Sequence, residues 1–192
     1  PAVRDGLVYV VTRASRAVAV DVETGRIRWE VPGTPSITGF VGSSGPAVGS
    51  RIAVLPFPSG DLAGVLRRGG TRIWGATVSG DRLGVPYTAI TDITGDPVID
   101  GARVYVANAG GRLLALDLQN GEQLWSAPEG AVGPVWPEAG SVFLVSDRAA
   151  LLRLDAGDGS MIWSAELPLF QAERERRLKA VYAHYGPVLA GG

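Results

Sequence analysis

The stretch from Leu113 to Trp125 reads LLALDLQNGEQLW. Two apolar runs stand on either side of Gln119-Asn120-Gly121. Asn-Gly between β-prone runs is a strong hairpin signal, because both central residues of a type I′ turn need a positive φ angle. The stretch therefore predicts a β-hairpin with Trp125 on its return strand.

The same hairpin pattern occurs four times in the chain. In every copy a glycine stands four residues before a tryptophan, and in three copies an aspartate opens the turn, while Leu66 takes its place in the second. Because the aspartates recur with the repeat, we assign them the structural task of accepting hydrogen bonds from N–H groups of the turn. The repeated residues are Asp21, Gly25, Trp29, Gly70, Trp74, Asp117, Gly121, Trp125, Asp155, Gly159 and Trp163.

A second mark opens each copy, namely a proline with an apolar run, followed by a further apolar or aromatic run. These prolines are Pro1, Pro46, Pro97, Pro134 and Pro187. Each unit thus contains four short apolar runs within roughly 40–50 residues, which is typical of a β-propeller blade. Short strands with glycine turns also build β-sandwiches, but four copies of one spaced pattern favour an all-β propeller.

Blades are predicted over residues 1–33, 46–80, 96–130 and 131–168, and residues 187–192 begin a fifth. A blade has two apolar faces that its neighbours must cover. Each tryptophan is therefore expected to lay its ring over the next blade, where a glycine allows close approach. Four blades would close a ring only very tightly, so the sequence predicts part of a propeller, whose uncovered faces drive self-association.

The pattern (V/L)xALDxxTGxxxW resembles the repeat of the pyrroloquinoline-quinone-type propellers. Within that superfamily, Thr91–Val98, Gly101, Val104–Val106 and Leu113–Asp117 together resemble a segment near the middle of the BamB family. The resemblance covers nearly the whole chain and implies an eight-bladed ring, of which four blades are about half. It also implies a periplasmic lipoprotein, anchored to the inner face of the outer membrane by an N-terminal lipid that this sequence does not include.

The resemblance further implies a non-enzymatic scaffold of the outer-membrane β-barrel assembly machinery, which binds the periplasmic domains of BamA and aids insertion of outer-membrane proteins. Ile90 would anchor the contact and Asp147 would supply charge complementarity. The family carries an arginine about where this chain has Ala89. An exposed edge strand could also pair with nascent outer-membrane proteins. The partner-binding residues carried over by the resemblance are Ala89, Ile90, Thr91, Asp92, Asp147 and Arg148.

Three further segments are open to two interpretations each. Residues 81–95 form a long insertion with apolar side chains, which either binds a partner or caps a blade edge. Residues 169–180 are the one stretch with helical character, and their charges form either a solvated face or an arginine patch for an acidic partner. The Arg67-Arg68 pair in the second blade is either ordinary divergence or a basic loop for a partner.

The composition is that of a globular chain. Of its 192 residues 46% are hydrophobic and 19% charged, and the formal net charge of −1 provides no field for binding nucleic acid. The sequence contains no cysteine and a single histidine, His184, so it offers neither thiolate ligands nor a histidine pair. No calcium-spaced acidic cluster and no nucleotide-binding glycine motif appears, so no cofactor is predicted.

Two other functions remain open from the sequence. The chain could be a fragment of a quinone-dependent dehydrogenase-like propeller whose cysteines and calcium ligands lie in another part of the ring. It could also be a generic propeller that binds some other periplasmic protein or polysaccharide. Quinone and calcium titration separates the first of these from a scaffold, because only the dehydrogenase would bind both.

Overall fold

The computed structural model describes residues 1–35, 44–78, 93–131, 133–168 and 184–188. Within these ranges the chain forms four antiparallel sheets of four strands each, and every sheet keeps the strand order of the sequence. These successive four-stranded blades confirm the predicted β-propeller architecture. The helical segment predicted at residues 169–180 lies outside the described ranges.

Each blade is a meander of consecutive strands. The first contains β1 (Ala2–Arg4), β2 (Leu7–Thr12), β3 (Arg16–Asp21) and β4 (Ile27–Pro32). The second contains β5 (Ala47–Val48), β6 (Ile52–Pro56), β7 (Asp61–Leu66) and β8 (Arg72–Thr77). The third contains β9 (Val98–Asp100), β10 (Arg103–Asn108), β11 (Arg112–Asp117) and β12 (Gln123–Ala127). The fourth contains β13 (Trp136–Glu138), β14 (Ser141–Val145), β15 (Ala150–Asp155) and β16 (Met161–Glu166).

The turn between β11 and β12 is wider than the type I′ turn predicted from Asn-Gly. Gly121 has a φ of 74°, but Asn120 does not have a positive φ, so the type I′ prediction is wrong. The N–H of Gly121 instead donates to the carbonyl of Asp117 at 2.9 Å. The Asp117 carboxylate accepts the N–H groups of Gln119 at 2.8 Å and Asn120 at 3.1 Å, which is the hydrogen-bonding task predicted for the repeated aspartates.

Aspartates of the first and fourth blades cap their turns in the same way. Asp21 accepts the N–H of Thr24 at 2.9 Å, and Asp155 accepts that of Gly157 at 2.7 Å. In the second blade Leu66 has no carboxylate to offer, yet its carbonyl still accepts the N–H of Gly70 at 2.8 Å. The glycine with a positive φ therefore preserves the turn shape where the side-chain cap is missing.

Neighbouring blades join through the tryptophan of one blade and the glycine turn of the next. The indole of Trp125 lies over Gly159, where a Cβ atom would come within 2.5 Å of the ring. Its Nε1–H donates to the carbonyl of Ala156 at 3.0 Å. Only a glycine leaves room for a ring at this distance.

The other two junctions repeat this arrangement. Trp29 lies over Gly70, and Trp74 lies over Gly121. The Nε1–H of Trp29 donates to the carbonyl of Arg67 and that of Trp74 to the carbonyl of Leu118, each at 2.9 Å. These two carbonyls belong to the residues directly after Leu66 and Asp117. The prediction that a tryptophan ring covers the neighbouring blade is thus confirmed for three of the four repeated tryptophans.

The apolar core lies between the blades because successive residues of a strand point to opposite faces. In β11, Ala115 belongs to the core between the third and fourth blades, whereas Leu116 belongs to the core between the second and third. Ala115 stands opposite Trp125 in the sheet, and Tyr105 packs against the same indole at a ring distance of 5.9 Å. The single strand β11 therefore contributes to two junctions at once.

Candidate functional site

The strands of a blade alternate in direction. The turn between the second and third strands of each blade therefore lies at the same end as the segment that leads to the next blade. We call this end the connector rim. Its described parts include the connectors 44–46, 93–97, 130–131 and 133–134, and the turns 13–15, 57–60, 109–111 and 146–149. The opposite end, with the Asp-Gly turns, is the turn rim.

Successive connectors on this rim bind each other closely. The N–H of Gly45 donates to the carboxylate of Asp96 at 2.6 Å, and Thr94 Oγ1 donates to the carbonyl of Ala131 at 2.6 Å. A Cβ on Gly95 would lie 2.4 Å from the carbonyl oxygen of Gly133. The described parts of the connectors therefore form a tightly packed backbone layer, which holds these parts of the rim rigid.

Asn108 joins three parts of the connector rim. Its side chain is fully buried, and Nδ2 donates to the carbonyl of Val78 while Oδ1 accepts the N–H of Arg112 at 2.9 Å. Its own carbonyl accepts the N–H of Ala131. No repeat motif marks Asn108 in the sequence, and the only local signal is a polar side chain between an apolar strand and the Gly110-Gly111 turn.

Asp147 and Arg148 lie in the β14–β15 turn of the fourth blade. The N–H of Asp147 donates to the carbonyl of Gly130 at 2.9 Å. A Cβ on Gly130 would lie 3.1 Å from the carboxyl carbon of Asp147, so this half-buried carboxylate rests on the preceding connector. Arg148 beside it is exposed.

The turn that presents Arg148 has a fixed backbone. Ser146 Oγ accepts the N–H of Ala150 at 3.2 Å, and the N–H of Ala149 donates to the carbonyl of Ser146 at 3.1 Å. Ala149 has a φ of 57°, a left-handed conformation that L-residues seldom adopt. The guanidinium of Arg148 is thus carried outward on a backbone that is already ordered.

The other predicted contact residues, Ala89, Ile90, Thr91 and Asp92, lie outside the described residues. The next residue, Ile93, is buried and forms an isolated β-bridge with Asn108. Through Asn108 and the adjoining 130–131 connector, the end of that loop is linked to the backbone that carries Asp147. The segment after the loop therefore belongs to the same rim as Arg148.

The Arg67-Arg68 pair lies on the turn rim, but it does not form a fully exposed basic loop. Arg67 is buried between the first two blades and binds the carboxylate of Asp5. Its hydrogen bond and charge hold the pKa of Asp5 below the usual value, and burial raises the pKa of the neighbouring Tyr9. Only Arg68 of the pair remains exposed, so Arg67 is a junction residue.

A cleft of about 580 Å³ opens beside this ion pair. Its charged lining is balanced, because the cations Arg28, Arg67 and Arg68 stand with the anions Asp5, Asp21 and Glu23.

Among the described residues, no three His, Cys, Asp or Glu side chains are grouped so that they could hold a metal ion. The same ranges contain no helix of the length and apolar character needed to cross a membrane.

Four-stranded blades joined by a tryptophan over a glycine turn define a β-propeller of the pyrroloquinoline-quinone-like repeat type. The chain belongs to the family of the outer membrane protein assembly factor BamB, whose family model matches residues 1–165. This match confirms the resemblance found in the sequence repeat.

Individual relatives carry the same family name. The chain is 31% identical over 146 residues to the outer membrane protein assembly factor BamB of Yersinia pestis, an alignment that covers 76% of this chain and 37% of that protein. It is 30% identical over 129 residues to the BamB of Burkholderia pseudomallei, covering 67% of this chain and 34% of that protein. The chain thus spans little more than a third of the length of these relatives.

Solved structures show the same fold. The crystal structure of BamB from Moraxella catarrhalis matches with a TM-score of 0.74 and 18% identity, covering 85% of this chain and 50% of that one. The quinohemoprotein alcohol dehydrogenase of Comamonas testosteroni matches with a TM-score of 0.68 and 18% identity, covering 86% of this chain and 34% of that one. At these identities the likeness concerns the fold alone, so it transfers no quinone chemistry to this chain.

Proposed function

We propose that this chain is a non-enzymatic docking module of the outer-membrane β-barrel assembly machinery and that its connector rim binds the periplasmic domains of BamA. In this proposal it works in the periplasm as part of a longer lipoprotein held at the inner face of the outer membrane. Membership of the BamB family supports the role. The observation that carries the proposed site is the ordered Asp147-Arg148 turn on a rigid rim.

The geometry of this turn suits the capture of a protein partner. Arg148 is exposed while its backbone is already fixed, so binding would order little more than one side chain. The carboxylate of Asp147 next to it gives the site both signs of charge, which favours a partner of matching pattern over others. Ile90, on the loop before the third blade, is proposed as the apolar anchor of the same contact.

Arg148→Glu is expected to weaken capture of the purified BamA periplasmic region at least about tenfold, because it reverses the exposed charge of the site. The measurement is biolayer interferometry at fixed ionic strength, with the chain immobilised. Arg13→Glu is the matched control, since Arg13 is an exposed arginine on the equivalent turn of the first blade. Ile90→Glu provides a second test through the other loop.

The outcomes separate three cases. Loss with Arg148→Glu and Ile90→Glu, but not with Arg13→Glu, supports the proposed site. Equal weakening by both arginine variants would mean that the general charge of the rim matters and would contradict a specific contact at Arg148. An unmodified chain that does not capture BamA would overturn the proposal for this part of the protein.

A second partner, a nascent outer-membrane protein, is favoured by the edges of the blades. The outermost strands β4, β8, β12 and β16 each pair with one described strand only, and all six residues of β16 are exposed. Such an edge can add an extended peptide through backbone hydrogen bonds. A labelled peptide with the sequence of a barrel strand should therefore bind in fluorescence anisotropy. A peptide that stays unbound at millimolar chain concentration would rule this partner out.

A further inference from the structure

The turn rim of the second blade differs from that of the other three blades in its charge. In every blade one backbone hydrogen bond joins the turn between the first and second strands to the turn between the third and fourth. In the second blade the N–H of Arg67 donates to the carbonyl of Arg51 at 2.9 Å. The same bond, at 2.9–3.0 Å, joins Val22 to Gly6, Leu118 to Ala102 and Ala156 to Gly140. This repeated bond shows which residues of the four blades occupy equivalent places.

The second blade alone carries arginines at these places. Arg51 stands where the other blades have glycine or alanine, and Arg67 stands where they have valine, leucine or alanine. The next residue, Arg68, stands where they have a glutamate, a glutamine and a glycine. The aspartate that opens the turn in the other blades is replaced by Leu66 here. The second blade thus combines three bases with the absence of the turn carboxylate, on a backbone that keeps the same hydrogen bond.

The three arginines line one cleft of about 420 Å³, which we call the arginine cleft. Ser50 and Leu66 are the other described residues of its lining, so the arginine cleft lies within the second blade. It borders on the cleft of about 580 Å³ beside Asp5, since Arg67 and Arg68 line both. The larger cleft balances its cations with anions, whereas no carboxylate is found among the described residues of the arginine cleft. The arginine cleft therefore has a net positive charge.

The three arginines of this cleft have different surroundings. Arg67 is 5% exposed and its charge is compensated by Asp5, so it forms a fixed base for the cleft. Arg51 and Arg68 are exposed, and neither forms an ion pair with a residue that the structure describes. The cleft therefore offers two uncompensated guanidinium groups, which come from two turns that are hydrogen-bonded to each other.

We propose that the arginine cleft binds the phosphate group of an anionic ligand, with Arg51 and Arg68 donating to its oxygens from two sides and Ser50 adding a hydroxyl donor. A phosphate is favoured over a carboxylate because one guanidinium fork already occupies both oxygens of a carboxylate. A phosphate has further oxygens for the second arginine. Leu66, 37% exposed, offers an apolar contact to the carbon skeleton of the ligand. Phospholipid headgroups and soluble phosphate esters both present this group.

The first test follows the arginine Nε–H signals by heteronuclear NMR while glycerol phosphate is added to the chain. The signals of Arg51 and Arg68 should shift together and saturate at millimolar ligand, and glycerol alone should leave them unchanged. Arg72 is the internal reference, because it is exposed in the same blade and its Nε donates to the carbonyl of Trp74 at 3.3 Å. Equal shifts of all three arginines without saturation would show general screening of charge and would overturn the site.

Two kinds of substitution separate recognition of phosphate from attraction by charge. Arg51→Gln and Arg68→Gln should each raise the dissociation constant for glycerol phosphate at least about tenfold, while Arg72→Gln should leave it unchanged. Arg68→Lys keeps the charge but lacks the planar fork of donors, so it should weaken binding too. Unchanged binding by Arg68→Lys would contradict the proposed geometry. Arg67 stays in place in every variant, because its pairing with Asp5 supports the junction of the first two blades.

Vesicles distinguish the two sources of phosphate. A lipid headgroup as ligand predicts that the chain co-sediments with vesicles containing phosphatidylglycerol and that glycerol phosphate competes. A soluble ester as ligand predicts binding of glycerol phosphate without co-sedimentation. Vesicles of phosphatidylcholine alone are the control, because the choline cation offsets the charge of its phosphate. Either pattern supports a phosphate site.

An acidic protein segment is the competing occupant of the arginine cleft. A glutamate-rich peptide that shifts the Arg51 and Arg68 signals where glycerol phosphate does not would overturn the phosphate site, and so would a lack of binding to every probe. The arginine cleft and the connector rim lie at opposite ends of the strands, so Arg68→Gln should leave BamA capture unchanged. Loss of BamA capture with Arg68→Gln would make the cleft part of that contact and would overturn its separate role.

Discussion

Trp125→Ala should lower the free energy of unfolding by about 3–5 kcal/mol, the range found when a large buried aromatic side chain is truncated. The indole is 7% exposed and lies between Tyr105 of its own blade and Gly159 of the next. Its removal leaves a cavity at the junction of the third and fourth blades. It also leaves the Ala156 carbonyl without the N–H that it accepts at 3.0 Å, and an unpaired buried acceptor adds to the loss.

Trp163→Ala is the matched control for this variant. It removes the same side chain from the same position of a blade, but the ring is more than one third exposed and its N–H has no acceptor among the described residues. The expected loss is about 1 kcal/mol, because the area returned to water is small. Urea unfolding followed by far-UV circular dichroism at low protein concentration gives both values without using tryptophan fluorescence. Equal losses would show that the indole stabilises its own blade and not the junction.

The sequence was sufficient to predict the blades because the signal for them is local and repeated. The Gly-to-Trp spacing and the proline-led strands define one unit, and its recurrence implies that neighbours cover each other. The turn geometry was mispredicted because Asn-Gly is only part of the local chemistry. The carboxylate of Asp117 draws the N–H groups of Gln119 and Asn120 into a wider turn in which only Gly121 needs a positive φ.

The connector rim was harder to predict from the sequence. Its rigidity depends on contacts between segments far apart in the chain, such as Gly45 with Asp96 and Asp147 with Gly130. No local sequence pattern indicates such contacts between distant residues. Arg67 shows the same limit, since a pair of arginines in a turn indicates an exposed basic loop until the position of Asp5 on the neighbouring blade is known.

Gly121→Ala should be among the most damaging single-methyl changes in the chain's repeated turns, with an expected loss of about 2–5 kcal/mol. Two costs combine. The φ of 74° is unfavourable for any L-residue by about 1–2 kcal/mol. The new Cβ would also lie 2.7 Å from the Trp74 ring, so the indole must move out of a packed junction, which costs about 1–3 kcal/mol.

The two costs can be separated with variants that the chain itself offers. Gly101→Ala has a φ of 56° but no atom within 4 Å of the new methyl group, so urea unfolding should show the backbone cost alone. The decisive measurement repeats Gly121→Ala in a Trp74→Ala background. Without the indole above it, the methyl group should cost no more than it does at Gly101, since the clash has been removed. If Gly121→Ala remained as costly there as in the unmodified chain, the glycine would be required by its turn and not by the tryptophan of the neighbouring blade.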